Sequence, residues 1–176
     1  EDWQCVQPMT QAPHFSGLTE SGIHYGDVGA TPHGLVYYES VRGCPYSCTY
    51  CLSSTDKKIR AKSAERALAD ILGFEEFDDI KTVKFVDRTF NCDKSRANAI
   101  WRALVDEKYT KKYHFEICAS LLDEDSFEAL ARLPKRKVQL EIGLQSTNPR
   151  TLEEVSRHID SDAVIKATQR LHQMGN

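Results

Sequence analysis

No stretch of this chain stays apolar over the roughly 20 residues that a membrane span requires, and no apolar leader is visible. Charge of one sign is also scarce, since 23 Lys and Arg stand against 26 Asp and Glu for a formal net charge of −3. That balance offers no electrostatic case for nucleic acid or an anionic membrane as partner. Residues 1–34 contain no Lys or Arg, yet they hold Glu1, Asp2, Glu20, Asp27, three prolines and, before Gly34, four of the nine glycines. Neither helical nor strand periodicity is sustained there. They read as an irregular arm or interdomain linker, with Trp3, Phe15 and Tyr25 as anchors. The chain begins at Glu1 rather than methionine, so it is expected to be a piece of a longer protein. Its 176 residues suffice for one domain with a real core. Charged residues at 28% and the missing leader point to a reducing cytoplasm rather than to three disulfides among six cysteines.

What the chain does have is Cys44-Pro-Tyr-Ser-Cys48-Thr-Tyr-Cys51, three cysteines in one short loop. Thiolates are soft ligands suited to iron–sulfur clusters or zinc. A [4Fe–4S] cluster takes four cysteines, one per iron, but Cys5, Cys92 and Cys118 are remote in sequence. Three ligands leave one iron open to a small molecule. Zinc accepts three cysteines plus a histidine, and His33 is the nearest candidate, although the usual two separated Cys/His pairs are absent. A thiol redox site needs only the two-residue spacing and leaves the third cysteine unexplained. Spacing alone ranks a cluster first, zinc second and redox chemistry third.

From Leu35 onward, strand and helix patterns alternate. Leu35–Ser40, Thr82–Val86, Tyr113–Cys118 and Lys137–Ile142 read as strands. Helices are expected from Ser63 through Ala64, Ala67, Leu68, Ile71 and Leu72, and from Asp93 through Ala97, Ile100, Trp101, Leu104 and Val105. A third opens at Asp123 and is stopped by Pro134, Asn148-Pro149 starts another, and the last runs from Asp160 to Gly175. This alternation implies parallel strands joined by crossovers. Four strands cannot close a barrel. The expected fold class is therefore α/β, a partial, truncated parallel β/α barrel of about four strand–helix units with one sheet edge exposed.

The cysteine spacing, with Tyr50 directly before Cys51, resembles the cluster loop of the radical S-adenosylmethionine (SAM) enzymes. Glu39-Ser-Val-Arg-Gly-Cys44 is similar to their strand-to-loop entry, in particular to members that carry a cobalamin-binding domain upstream. The resemblance implies a [4Fe–4S] cluster on Cys44, Cys48 and Cys51, with SAM chelated at the open iron. It also implies reductive cleavage of SAM to a 5'-deoxyadenosyl radical that abstracts hydrogen from a substrate the sequence does not identify. An electron donor follows, either a reductase or a flavodoxin- or ferredoxin-type protein. Residues 35–176 would then be the N-terminal part of a barrel of six units. Cobalamin is implied for the full-length protein only, because no Asp-x-His-x-x-Gly segment occurs here.

The same resemblance implies SAM-binding roles at five positions. Asp87, in Val86-Asp-Arg-Thr-Phe90, stands where many members carry a glycine-rich turn or Gly-Gly-Glu that holds the SAM amino group; the Thr89 backbone is an alternative, and Asp87 also reads as a simple turn former. Glu116 would accept from the ribose hydroxyls, or else point outward toward helix-borne basic groups, since a carboxylate in an apolar strand needs a partner in any case. Gln145 lies in Glu141-Ile-Gly-Leu-Gln-Ser146, which is similar to the Gly-Val-Gln-Ser segment of oxygen-independent coproporphyrinogen oxidases, whose glutamine reaches the ribose. Glu141 has no counterpart and would pair with a substrate group or with Arg157. Arg157, in Val155-Ser-Arg-His158, matches the arginine of a Gly-Arg-x-His that pairs with the SAM carboxylate, with Ser156 in place of the glycine. Tyr50 would pack near the adenine. Cys92, Cys118 and Trp101 read as core. The competing function is a non-enzymatic zinc or iron–sulfur electron-transfer module. Convergence of Glu116, Gln145 and Arg157 on the open iron would favour the enzyme, and a closed, four-ligand site the module.

Overall fold

Four short stretches in which apolar and polar residues alternate become the strands of one parallel sheet. The computed structural model describes residues 33–175, so the expected arm and its aromatic anchors lie outside the described residues. The long strands are β1 (Leu35–Tyr38), β4 (Thr82–Phe85), β5 (Lys112–Ile117) and β6 (Val138–Ile142), paired in the order β1-β4-β5-β6. Between β1 and β4 a small antiparallel pair, β2 (Val41–Arg42) and β3 (Arg60–Ala61), closes the base of the cysteine loop. The helices are α1 (Ala64–Gly73), α2 (Lys94–Ala103), α3 (Glu124–Ala131), α4 (Pro149–Glu154) and α5 (Ser161–Met174). The architecture is the expected partial parallel β/α barrel. Among the described residues no helix is long and apolar enough to cross a membrane.

Strand pleating sends successive side chains to opposite faces. Val36, Tyr38, Val83, Phe85, Tyr113, Phe115 and Ile117 are buried on the helix side. Tyr37, Lys84, His114, Glu116, Gln139 and Glu141 take the alternate positions and form a polar face. Phe115 sits at the centre of the core. Its ring lies 4.5 Å from Phe85, 4.3 Å from Phe90 and 6.3 Å from Trp101, centroid to centroid. Aromatic pairs at such distances add about 0.5–1.5 kcal/mol each beyond area burial.

Every helix start read from the sequence holds. Ser63, Asp93, Asp123, Asn148 and Asp160 each accept from a first-turn backbone N–H. Gly175 ends α5 at φ 83°, a left-handed conformation that costs glycine little. The ends of β4, β5 and β6 shift by one residue at most, and two other boundaries differ by two. The second helix ends at Ala103, so Val105 falls past its last turn and is exposed. The first strand ends at Tyr38 rather than Ser40, because the Ser40 N–H donates to Asp87 and so leaves the ladder.

Phe115→Ala is expected to lower unfolding stability by about 3–5 kcal/mol, as for other buried aromatic truncations. Asp160→Ala, which removes only a cap, should cost about 1 kcal/mol. Urea denaturation checks both, and comparable losses in the two variants would contradict this placement of the core.

Candidate functional site

The cysteine loop leaves the sheet at the C-terminal end of β1, where parallel α/β architectures place their chemistry. Gly43 begins the loop at φ 92°, and a Cβ there would stand 2.4 Å from the Lys58 carbonyl oxygen. Only glycine suits this close approach. The Cys44 N–H donates to the Asp56 carbonyl at 2.9 Å. Beneath the loop lies Asp87, fully buried at the end of β4. Its Oδ1 accepts from the backbone N–H groups of Ser40 at 2.7 Å and Val41 at 2.9 Å, and its Oδ2 accepts from the Ser40 hydroxyl. Arg96 on α2 donates to the Ser40 Oγ and to the Lys62 carbonyl, both at 2.6 Å. Lys62 in turn pairs with Asp70 on α1 at 2.6 Å. Burial pushes the Asp87 carboxyl up, although Ser40, Val41 and Arg96 pull against it. The expected place of Asp87 against the SAM amino group therefore differs from its geometry, since the carboxylate is turned into the protein and anchors the loop.

The thiols lie above this anchor. Cys44 and Cys48 are buried, Cys51 is partly open, and all five described cysteines are free of disulfides. The Cys44 Sγ is 3.6 Å from the Thr89 hydroxyl. Arg157 reaches Cys48 from the far side of the site, donating from Nη1 to Sγ at 3.7 Å and from Nη2 to the Gly143 carbonyl at 2.8 Å. Its guanidinium also stands 5.6 Å from the centroid of the Tyr46 ring. Burial works against the Arg157 charge, but the Cys48 thiol and Tyr50 outweigh it and raise the pKa above its ordinary value. Tyr50 is half exposed; partial burial first, then the Cys48 thiol, push its hydroxyl up.

Helix α4 delivers Arg157. It ends in a Schellman turn, with Arg157 N–H donating to Leu152 O and Ser156 N–H to Glu153 O. Ser156 holds φ 52°, the left-handed conformation that glycine adopts without strain. This is the position where the sequence has serine for an expected glycine, and the backbone geometry is kept despite the substitution. The Thr49 N–H donates to Val155 O at 3.0 Å and docks the cysteine loop on the same turn. Gln145, at φ 65°, folds its amide over Gly143, where a Cβ would meet its Nε2 at 2.4 Å. Cys48, Gln145 and Arg157 thus come together around Gly143.

Glu116 stays on the polar sheet face, 3.5 Å from Arg88, in register with Glu141. Glu141 does not pair with Arg157; it takes Lys84 at 3.2 Å and His114 Nε2 at 3.0 Å. Burial first, then Lys84, lower the His114 pKa, with Glu141 and Glu116 opposing. Trp101 is core as expected. Cys118 is buried as expected, and it also accepts from the Tyr46 hydroxyl at 3.2 Å and joins β5 to the cysteine loop. Asn91 holds Cys118 by a reciprocal pair of 2.9 Å hydrogen bonds. Sequence reading missed Asn91, Ser40 and Arg96, because nothing local marks a polar side chain whose partners lie in another unit.

Among the described residues no three His, Cys, Asp or Glu side chains are gathered closely enough for a single metal ion. A four-iron cluster takes one thiolate per iron and so calls for a wider spacing. The donor set suits such a cluster. Three free thiols share one loop, a hydroxyl and a guanidinium stand at two of them, and the buried Arg157 Nε has no hydrogen-bond partner.

The family model of the radical SAM superfamily matches residues 38–176. An uncharacterized methyltransferase of Pyrococcus horikoshii is 27% identical over 146 residues, which cover 82% of this chain and 31% of that protein. The chain thus spans about a third of the curated relative it matches. The radical SAM methyltransferase TsrM of Kitasatospora setae, solved with tryptophan substrate and a SAM analogue, has a similar fold at TM-score 0.67 and 16% identity, over 81% of this chain and 29% of that one. A second structure of TsrM contains cobalamin and a [4Fe–4S] cluster. The cobalamin-dependent SAM radical enzyme OxsB, solved with aqua-cobalamin and SAM, matches at TM-score 0.63 and 21% identity, over 79% of this chain and 22% of that one.

Asp87→Ala orphans two backbone donors, at about 1–3 kcal/mol each, so a loss of about 2–6 kcal/mol in urea denaturation is expected. Asp87→Asn keeps one acceptor and should lose less; a change below about 0.5 kcal/mol in the alanine variant would remove Asp87 from its anchoring role. Because the folded-state pKa of His114 is depressed, its stabilising contribution is full above the ordinary value of about 6.5 and is lost as pH falls through the folded one. His114→Gln should therefore lose less stability than the wild type between pH 7.5 and 5.5. Parallel losses in the two proteins would count against the assignment.

Proposed function

This chain belongs to the radical SAM superfamily, and from that premise we propose that it carries the cluster and part of the SAM site of an enzyme that reductively cleaves SAM. The observation that carries the proposal is the disulfide-free three-thiol loop at the end of β1, with Arg157 delivered to Cys48 by the cap of α4. When bound, a [4Fe–4S] cluster supplies the electron that breaks a carbon–sulfur bond of SAM and yields the 5'-deoxyadenosyl radical. Cys44, Cys48 and Cys51 would hold it, and the protein's task is placement, electrostatics and exclusion of water.

Within that reading each remaining residue has a physical role. Gln145 offers a polar amide beside Gly143, fixed by its left-handed backbone. Glu116 presents a carboxylate, already balanced by Arg88, to the ribose hydroxyls. Tyr50, half exposed beside Cys48, provides an aromatic face for the adenine. Asp87 supports all of these from below through the loop base rather than by touching SAM. The electron would come from a reductase or a flavodoxin- or ferredoxin-type donor in the cytoplasm. Methyl transfer is the reaction class we favour, on the ground that the curated relative is described as a methyltransferase. Cobalamin would bind outside these residues, since no Asp-x-His-x-x-Gly segment occurs among them.

The experiment is anaerobic reconstitution with iron and sulfide, followed by metal analysis and electron paramagnetic resonance of the reduced protein with and without SAM. Close to four irons per chain and a spectrum perturbed by SAM are expected, and Cys48→Ala should abolish both. A chain that retains zinc and assembles no cluster would defeat the proposal. A cluster indifferent to SAM would favour the electron-transfer reading.

A further inference from the structure

Two nitrogens of the Arg157 guanidinium are held by the protein's own groups. Nη1 donates to the Cys48 Sγ at 3.7 Å, and Nη2 is fixed on the Gly143 carbonyl at 2.8 Å. The plane rests near the Tyr46 ring, 5.6 Å from its centroid, and the Tyr46 hydroxyl is itself tied to Cys118 at 3.2 Å. The backbone is equally constrained, because Arg157 follows a left-handed Ser156 in the cap of α4, which also binds Thr49 in the cysteine loop. A cation held in this way beside one ligand sulfur acts on that sulfur.

We propose that Arg157 is a positioning residue for the cluster, a fixed donor to the Cys48 sulfur that raises the cluster's reduction potential. The inference rests on the cluster-binding reading above and assigns Arg157 a role separate from the SAM carboxylate. One-electron reduction, with the electron supplied by dithionite in the titration, adds negative charge to the cluster and its thiolates. A guanidinium N–H aimed at a ligand sulfur stabilises that added charge, and hydrogen bonds to sulfur are among the determinants of cluster potential. The effect is larger in a partly buried site than in water. Thr89 makes a comparable contact with Cys44 at 3.6 Å, but it is uncharged and its hydroxyl proton is free to point elsewhere. Arg157 therefore carries the electrostatic share.

The test is a potentiometric titration of the reconstituted protein, followed by electron paramagnetic resonance without SAM. Arg157→Gln should lower the equilibrium constant for reduction about tenfold, which for one electron is a shift of about 59 mV to more negative potential. Arg157→Lys, which keeps the charge but not the fork, should recover part of the shift. Tyr46→Leu removes the ring under the guanidinium without touching a ligand, and should shift the potential the same way by less. It decides the matter if Arg157→Gln assembles too little cluster to titrate. A wild-type potential in Arg157→Gln, or in Tyr46→Leu where that variant must decide, overturns this inference alone. A wild-type protein that binds no cluster overturns the function reading together with it.

Discussion

Everything above the sheet in this protein depends on how one buried carboxylate is satisfied. Asp87 is taken out of water entirely, which is costly for a charge unless each lone pair finds a donor. Two backbone N–H groups and the Ser40 hydroxyl supply those donors, and Arg96 closes the charge balance through the same Ser40. The donors are the residues at which the chain leaves β1 to form the cysteine loop. Arg96 also clamps the carbonyl of Lys62, where the loop returns. One network thus fixes both ends of an excursion that would otherwise sample many conformations. The left-handed Gly43 converts that fixed base into a sharp exit toward the thiols.

The sheet divides the remaining chemistry by face. On the helix side the aromatic stack around Phe115 excludes water and makes the strand spacing rigid. On the other side the register sets Lys84 beside His114, and Glu116 beside Glu141. Ion pairs at these positions are weak individually when half exposed, yet they keep titratable groups on a strand face without an unpaired buried charge. The polar face and the cysteine loop meet at the end of β6, where Gly143 takes Arg157 on its carbonyl and the Gln145 amide against its Cα.

Much of this was legible in the sequence, and the legible part has a common physical origin. Strands, caps and the cysteine spacing are local signals, written within a few residues by side-chain alternation, capping oxygens and ligand geometry. Ser63, Asp93, Asp123, Asn148 and Asp160 behave as caps because a cap needs only its own first turn. Tertiary pairing was not legible. Asp87 resembled a ligand-binding acid by position at a strand end, but its partners, Ser40 and Val41, lie just past the end of the neighbouring strand β1. Glu141 found Lys84 and His114 instead of Arg157 because strand register, not sequence proximity, decides which side chains face one another. Cys118 was legible as a core thiol, but its contact with Tyr46 was not, because that contact spans 72 positions.

Ser156 shows how a departure from an expected motif can leave its geometry intact. A serine at φ 52° carries backbone strain that glycine would avoid, and such strain persists only where neighbouring bonds over-determine the conformation. Here they do. Two Schellman hydrogen bonds close the turn from within, and the Thr49 N–H on Val155 O closes it from the cysteine loop. The Arg157 contacts to Gly143 and Cys48 then hold the residue that the turn presents. The strained turn and the cysteine loop therefore stabilise each other. A loosening of either withdraws the guanidinium from Cys48, so the fold itself sets the position of Arg157.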